Sequence, residues 1–304
     1  MYLVVLLYAL FASVFTVSKT GLQYTQPLFL VGSRMVLAGV LLLVYLFIFH
    51  RRQFSFSKGA LWGLLRLAVF NIYLTNVFEF WGLQFLTSFK TCFIYSLSPF
   101  FSALISYFSF NENLSPKKWI GLVVGFVGFF PILFSETSAE EGVGHLFFLS
   151  WAEMAVMLAA ITSVYGWIIL RQLVKDEGVT PLMANGVSMV AGGGMALVNS
   201  YFVENWNPVP VTDTVTFLEC MLLLVIISNM ICYNLYGHLL KRFTATFMSF
   251  AGFTTPLFTA IYGWFFLSEV ISEAFYLSAA VVFIGLFLFY QEELRQGYTV
   301  PAEA

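Results

Sequence analysis

The chain is predicted to be an all-α integral membrane protein of ten transmembrane helices, arranged as two inverted five-helix repeats with both termini cytoplasmic. Three observations predict this: composition, the lengths of the apolar runs, and a self-alignment of the chain. Of 304 residues, 60% are hydrophobic and only 10% charged, against roughly 45–50% and about 25% in soluble domains. A soluble chain this apolar would lack the polar side chains to cover itself, so lipid must be the solvent.

A helix needs about 20 mostly apolar residues to cross a hydrocarbon core of ~30 Å. Ten segments meet or approach that length, at residues 2–18, 28–49, 61–84, 91–110, 118–134, 147–170, 181–203, 215–237, 245–267 and 274–290. We number them spans 1 to 10. Polar breaks rich in Gly, Pro, Ser and Asn separate them. The runs are too long and too continuous for barrel strands, which alternate over about ten residues. No basic region precedes the first run, which is expected to be a retained span and not a cleaved leader.

Basic residues set the expected orientation. Arg51, Arg52, Lys58, Lys117, Lys118, Arg171, Lys175, Lys241, Arg242 and Arg295 fall in even-numbered loops and the tail, whereas only Lys19 and Lys90 fall in odd-numbered loops. That asymmetry places the even loops and both termini in the cytoplasm.

Displacing the chain by 157 residues aligns 87–130 with 244–287 without a gap. Twelve of the 44 positions are identical, among them Pro99/Pro256, Glu112/Glu269, Ser115/Ser272 and Gly128/Gly285. Shared Phe means little between membrane segments, but the spacing from Pro to Glu to Gly is harder to obtain by composition. A repeat of five spans re-enters the membrane inverted. The expected units are 1–135 and 145–292, followed by a cytoplasmic tail at 293–304. Inverted repeats are a construction of secondary transporters that work by alternating access.

The sequence resembles the drug/metabolite transporter superfamily, in particular its EamA-type ten-helix members. The resemblance rests on Phe11-Ala-Ser13-Val-Phe-Thr-Val-Ser-Lys19 closing span 1 and on Arg34 in Gly-Ser-Arg-Met-Val-Leu-Ala-Gly. Each half also has a Pro in its fourth span, a Glu at that span's end and a Gly-rich fifth span. The Ala/Ser-rich turn before the fourth span is only partly kept, as Leu86-Thr87-Ser88-Phe89. Membership implies a central cavity lined mainly by spans 1, 3, 4, 6, 8 and 9, into which Ser13 and Lys19 would contribute. It does not name a cargo, because such proteins move amino acids, nucleotide sugars, drugs and other metabolites.

Ionisable residues inside the spans each cost ~2.5–3.5 kcal/mol on insertion scales, so each needs a partner, water or a function. At 1.5 Å per residue, Arg34, Glu79, Glu153 and Glu219 all lie about 10 Å or less from the outer boundary. One reading is structural: Arg34 pairs with Glu79 while Glu153 and Glu219 reach interfacial water. The other is a charged vestibule that binds an amine or carries a proton. Below this level, Tyr73, Asn76 and Glu79 recur along span 3. Glu219, Leu222, Ile226, Asn229, Tyr233 and Tyr236 follow one helical face of span 8. Interhelical hydrogen bonding would account for these polar groups as well as substrate binding would. Tyr95 and Ser98 beside Pro99, and Thr255 beside Pro256, are further binding candidates. Each Pro should free a carbonyl one turn earlier and kink its span. Arg34, Pro99, Pro256, Glu112 and Glu269 are candidates for structural or gating roles, the two glutamates as turn and cap residues.

Other functions fit poorly. The three histidines are isolated and no His-Glu-x-x-His or Gly-x-Ser-x-Gly motif is present, so neither catalytic residues nor a metal or cofactor site is expected. Cys92, Cys220 and Cys232 lie in apolar runs and read as small buried side chains. A net charge of −2 implies no nucleic-acid partner. A channel would need a filter or charge ring, and neither is visible. The expected partners are a small-molecule substrate and the bilayer of a cell (cytoplasmic or inner) membrane, with the protein a monomer or homodimer. An aromatic cavity with acidic residues at its mouth suits an amino acid or a cationic, aromatic derivative such as S-adenosylmethionine. An exporter of drugs or other metabolites is the alternative.

Overall fold

The computed structural model describes all residues except 1, 52–58, 111–114, 136–137, 233–234, 237–238, 240–241, 244 and 296–304. It is almost entirely helical. Among the described residues, eight helices are long and apolar enough to cross a membrane: Tyr2–Gly21, Pro27–Phe49, Ala60–Phe85, Pro116–Leu133, Trp151–Val174, Pro181–Val203, Thr214–Cys232 and Glu273–Gln291. They overlap eight of the ten expected spans, although the sixth begins at Trp151 and not at 147 because residues 145–150 form a short hairpin. Segments 91–110 and 245–267 are helical too, but broken. The first runs as Ser88–Tyr95 and Ser98–Phe110, the second as Ala245–Ala251, a 3₁₀ turn at Gly252–Thr254, and Thr255–Leu267.

Proline explains both breaks. Pro99 cannot donate to the Tyr95 carbonyl, and the Ser98 hydroxyl donates to that oxygen instead, at 2.6 Å. Pro256 likewise cannot reach Gly252, whose carbonyl accepts from the Thr255 amide in a tighter turn. Prolines at 27, 116 and 181 do the opposite: each sits at the first or second helical position, where its missing N–H costs nothing.

Among the described residues, two helices contain π-helical stretches, Ala68–Leu74 and Val225–Cys232. They begin 157 residues apart, as do Pro99 and Pro256. The widened turn of the first is closed by Thr75, whose hydroxyl donates to the carbonyl of Phe70 five residues back, at 2.8 Å.

By contacts the chain forms two compact units, and each draws on both halves of the sequence. One comprises 1–16, 85–154 and 231–304; the other comprises 17–84 and 155–230. The compact units thus cut across the expected boundary near 135–145.

In the unit 17–84/155–230, Pro27–Phe49 packs along Pro181–Val203. Small residues let the backbones approach. A Cβ on Gly39 would fall 2.8 Å from the Gly186 carbonyl, and one on Gly193 would fall 2.8 Å from the Val36 amide. At one end Leu46, Leu64, Leu67, Ile169, Leu173 and Met183 form a buried apolar cluster. The connecting segments also pair: Thr25 donates from its hydroxyl to Pro210, and the Thr212 amide donates to Tyr24, both at 2.8 Å.

In the unit 1–16/85–154/231–304, Pro116–Gly128 packs along Glu273–Arg295 in the same manner. A Cβ on Gly121 would lie 2.6 Å from the Gly285 carbonyl. Phe93, Phe129 and Phe275 stack edge and tilt around one buried centre, with centroids 4.7 and 5.8 Å apart.

Candidate functional site

Four charges near the expected outer boundary cap helices. Lys19, at the end of the first helix, donates to the Leu83 and Gln84 carbonyls at 2.7 and 3.0 Å. These belong to the last turn of Thr75–Phe85, where orphan carbonyls and the helix dipole both favour a cation. Glu204 accepts from the Leu28 and Phe29 amides at 2.6 and 2.9 Å, capping Pro27–Phe49 from a distant segment. Burial pushes its carboxyl pKa up, and the hydrogen bonds from Ser200, Leu28 and Phe29 oppose that rise. Asp213 caps Thr214–Leu224, accepting from the Thr216 hydroxyl at 2.7 Å and from the Val215 amide at 3.0 Å. These bonds hold its pKa below the ordinary value, the Thr216 hydroxyl contributing most. Glu269 caps Ser88–Tyr95: the Ser88 amide and hydroxyl each donate to one of its oxygens at 2.7 Å. Glu269 was expected to cap the helix that follows it; it caps one remote in sequence instead. Glu112 and Tyr233 lie outside the described residues.

Arg34, 3% exposed, is the centre of a polar network in its unit. Its guanidinium donates to Asn76 Oδ1 at 2.7 Å and lies over the Phe80 ring, 4.8 Å from the centroid. Asn76 in turn donates to the Ile72 and Asn71 carbonyls at 2.8 and 3.4 Å, within and beside the widened turns of the π stretch. Glu79, half-buried one turn on, interacts electrostatically with Arg34. The Arg34 side chain therefore joins its own helix to Asn76. Tyr73 faces elsewhere: its hydroxyl accepts from Asn199 at 2.8 Å. The two line an open, shallow hollow with Met195, Val198 and Phe202.

The stripe expected along span 8 does not form. Glu219, Leu222 and Ile226 are exposed, whereas Asn229 is 2% exposed with its amide turned to the sulfurs of Met35 and Met189, at 3.9 and 3.7 Å. The cause is the π stretch that begins at Val225: i→i+5 bonding widens the turn, so a 3.6-residue stripe rotates off its face.

In the other unit, the Ser13 hydroxyl donates to the Leu10 carbonyl of its own helix, at 2.7 Å. Tyr95 meets Phe15 edge-on with centroids 6.3 Å apart, directly before the break at Pro99. Thr255 is buried at the start of its helix. Tyr8, which no sequence pattern singled out, donates its hydroxyl to the Met248 carbonyl.

A buried ion cluster was also missed. Lys90, 2% exposed, lies 2.8 Å from Glu140 and 2.9 Å from Glu153, and donates to the Ser135 carbonyl at 2.9 Å. Both carboxylates are fully buried, so Glu153 does not reach interfacial water as one expectation had it. Hydropathy alone starts span 4 at 91 and leaves Lys90 in a loop. The signal that finds it is the N-cap: Thr87 accepts from the Lys90 amide at 3.3 Å and starts the helix at Ser88, which puts the lysine inside.

Comparison with known proteins places this architecture. The S-adenosylmethionine/S-adenosylhomocysteine transporter of Chlamydia muridarum (strain MoPn / Nigg) is 39% identical over 298 residues, covering 97% of this chain and 92% of its own. Its namesake in Chlamydia trachomatis serovar D is also 39% identical, over 97% of this chain and 90% of its own. The uncharacterized transporter YoaV of Bacillus subtilis (strain 168) is 25% identical over 272 residues, 89% of each chain. A solved structure covering 97% of this chain and 96% of its own shares the fold, with a TM-score of 0.66 at 14% identity. The model of the EamA-like transporter family matches residues 1–134 and 150–291. This multi-pass membrane protein belongs to the EamA-like transporter family.

Proposed function

We propose that this chain is a secondary transporter that exchanges S-adenosylmethionine for S-adenosylhomocysteine by alternating access, and that it is built from ten spans in two inverted five-helix repeats. The observation that carries the cargo is the 39% identity along 97% of the chain to the two chlamydial transporters of that name. The repeat is supported by the recurrence of the π stretch and the proline break at the 157-residue displacement, and by a family match that falls in two parts. Cytoplasmic termini are supported by the distribution of basic residues.

The chemistry of the cargo suits these residues. S-adenosylmethionine carries a sulfonium, an ammonium and a carboxylate beside a flat adenine ring. Glu79 and Glu219 offer negative charge to the cationic groups. Tyr73, Tyr95 and Tyr233 offer ring faces, and cation–π contact contributes ~2 kcal/mol when desolvated. Asn229 and Thr255 offer neutral hydrogen-bonding groups, whereas Ser13, Lys19, Asn76 and Ser98 already donate to backbone carbonyls.

Uptake of labelled S-adenosylmethionine by the purified protein in liposomes tests the cargo. Unlabelled S-adenosylmethionine and S-adenosylhomocysteine should both compete, and methionine, lysine and a nucleotide sugar should not. Equal competition by a drug panel would favour a broad exporter and overturn the assignment. For the carboxylates, Glu79→Gln or Glu219→Gln should lower uptake at least tenfold with the fold intact; full activity in both would remove them from the site.

A further inference from the structure

We propose that the hairpin at residues 145–150 is an interfacial anchor that seats Phe147 and Phe148 in the headgroup–acyl boundary of the bilayer. The stretch His145-Leu-Phe-Phe-Leu-Ser150 folds as two short antiparallel strands, pairing His145 with Ser150 and Leu146 with Leu149. Phe147 and Phe148 make the two-residue turn. Phe147 has φ 58°, the left-handed region, where a two-residue hairpin favours Gly, Asn or Asp because a bulky side chain crowds the backbone. The chain instead places there an aromatic ring that is 93% exposed, flanked by Leu146 at 42% and Phe148 at 47%. In water such a tip would be unfavourable twice over, in backbone conformation and in exposed apolar surface. An apolar surrounding removes the second cost.

The base of the hairpin is firmly held. Ser150 is buried; its amide donates to Glu153 at 2.8 Å and its hydroxyl to Glu140 at 3.4 Å. These are the two carboxylates that bind Lys90. The tip therefore projects from a fixed root.

The tip is also continuous with surface that lipid covers. Phe148 lies 5.8 Å from Phe130 and 6.1 Å from Phe134, which stack on each other at 6.1 Å. Phe130 and Phe134 stand at the end of the Pro116–Leu133 span, and Trp151, also exposed, opens the Trp151–Val174 span. Both span ends mark the bilayer boundary, where aromatic side chains are favoured. This continuity assigns the occupant as lipid, and the inference does not depend on the cargo.

The test is a nitroxide label on Phe147→Cys in the full-length protein, reconstituted in phosphatidylcholine–phosphatidylglycerol vesicles, with Glu141→Cys as an exposed reference. The native cysteines are buried. Power saturation should show the 147 label at least threefold more accessible to oxygen than to a nickel chelate, with the reverse at 141. Equal nickel access at both positions would overturn the anchor, as would dipolar broadening that reports a second copy against the tip. Phe147→Gly gives a reading free of the label. In vesicles, amide exchange across 145–149 should rise about tenfold although glycine suits the turn; unchanged exchange would contradict the proposal.

Discussion

Lys90 is the side chain whose loss the structure should tolerate least. It is buried and lies against two buried carboxylates. Removing one partner of a buried ion pair leaves an uncompensated charge and costs about 3–5 kcal/mol. Lys90→Met should therefore lower the thermal midpoint in detergent sharply. Adding Glu140→Gln and Glu153→Gln should restore most of it, because no bare charge then remains. A triple variant as unstable as the single one would show that Lys90 acts by packing alone. Glu204 makes a second prediction, with a sign. Its folded pKa is raised by burial, so its contribution to stability is fully present below the ordinary carboxylate value and is lost as pH rises through the raised one. Glu204→Gln should flatten that fall in a pH series of melting curves, since the amide does not titrate; its single oxygen can replace only one of the two carboxylate oxygens that accept from Leu28 and Phe29. A fall unchanged by the substitution would place its origin elsewhere.

At the scale of elements, the two broken helices are the features that sequence made most legible. A proline states its own consequence, and the breaks at 96–97 and 252–254 lie about one turn before Pro99 and Pro256. Pro99→Ala should let the Ser88–Tyr95 and Ser98–Phe110 helices join, slowing amide exchange at 96–99. If the break serves the transport cycle, uptake should fall while stability does not. Normal uptake with a closed break would make it a packing feature only. The π stretches were not legible. Val, Ile, Asn and Phe populate α and π turns alike, so hydropathy spacing continues through Val225–Cys232 as if the helix were regular. For that reason Glu219 and Asn229 were expected on one wall and stand on different faces. The caps were half legible. Ser, Thr and Asp before a helix signal its start, as at Thr87, Ser115, Thr180 and Asp213. Glu204 and Glu269 instead cap helices remote in sequence, and no local pattern could pair them with Leu28 or Ser88.

For the whole molecule, charge is the useful quantity. S-adenosylmethionine carries one positive charge at neutral pH through its sulfonium, and S-adenosylhomocysteine is neutral. The proposed exchange, one for one, would move one charge per cycle, so an inside-negative potential would drive the methyl donor inward, by about 2.3 kcal/mol per 100 mV. Counterflow in liposomes tests the central claim directly. Vesicles loaded with S-adenosylhomocysteine should accumulate labelled S-adenosylmethionine faster than empty ones, and faster again when potassium and valinomycin set the interior negative. Uptake indifferent to internal S-adenosylhomocysteine would contradict the exchange.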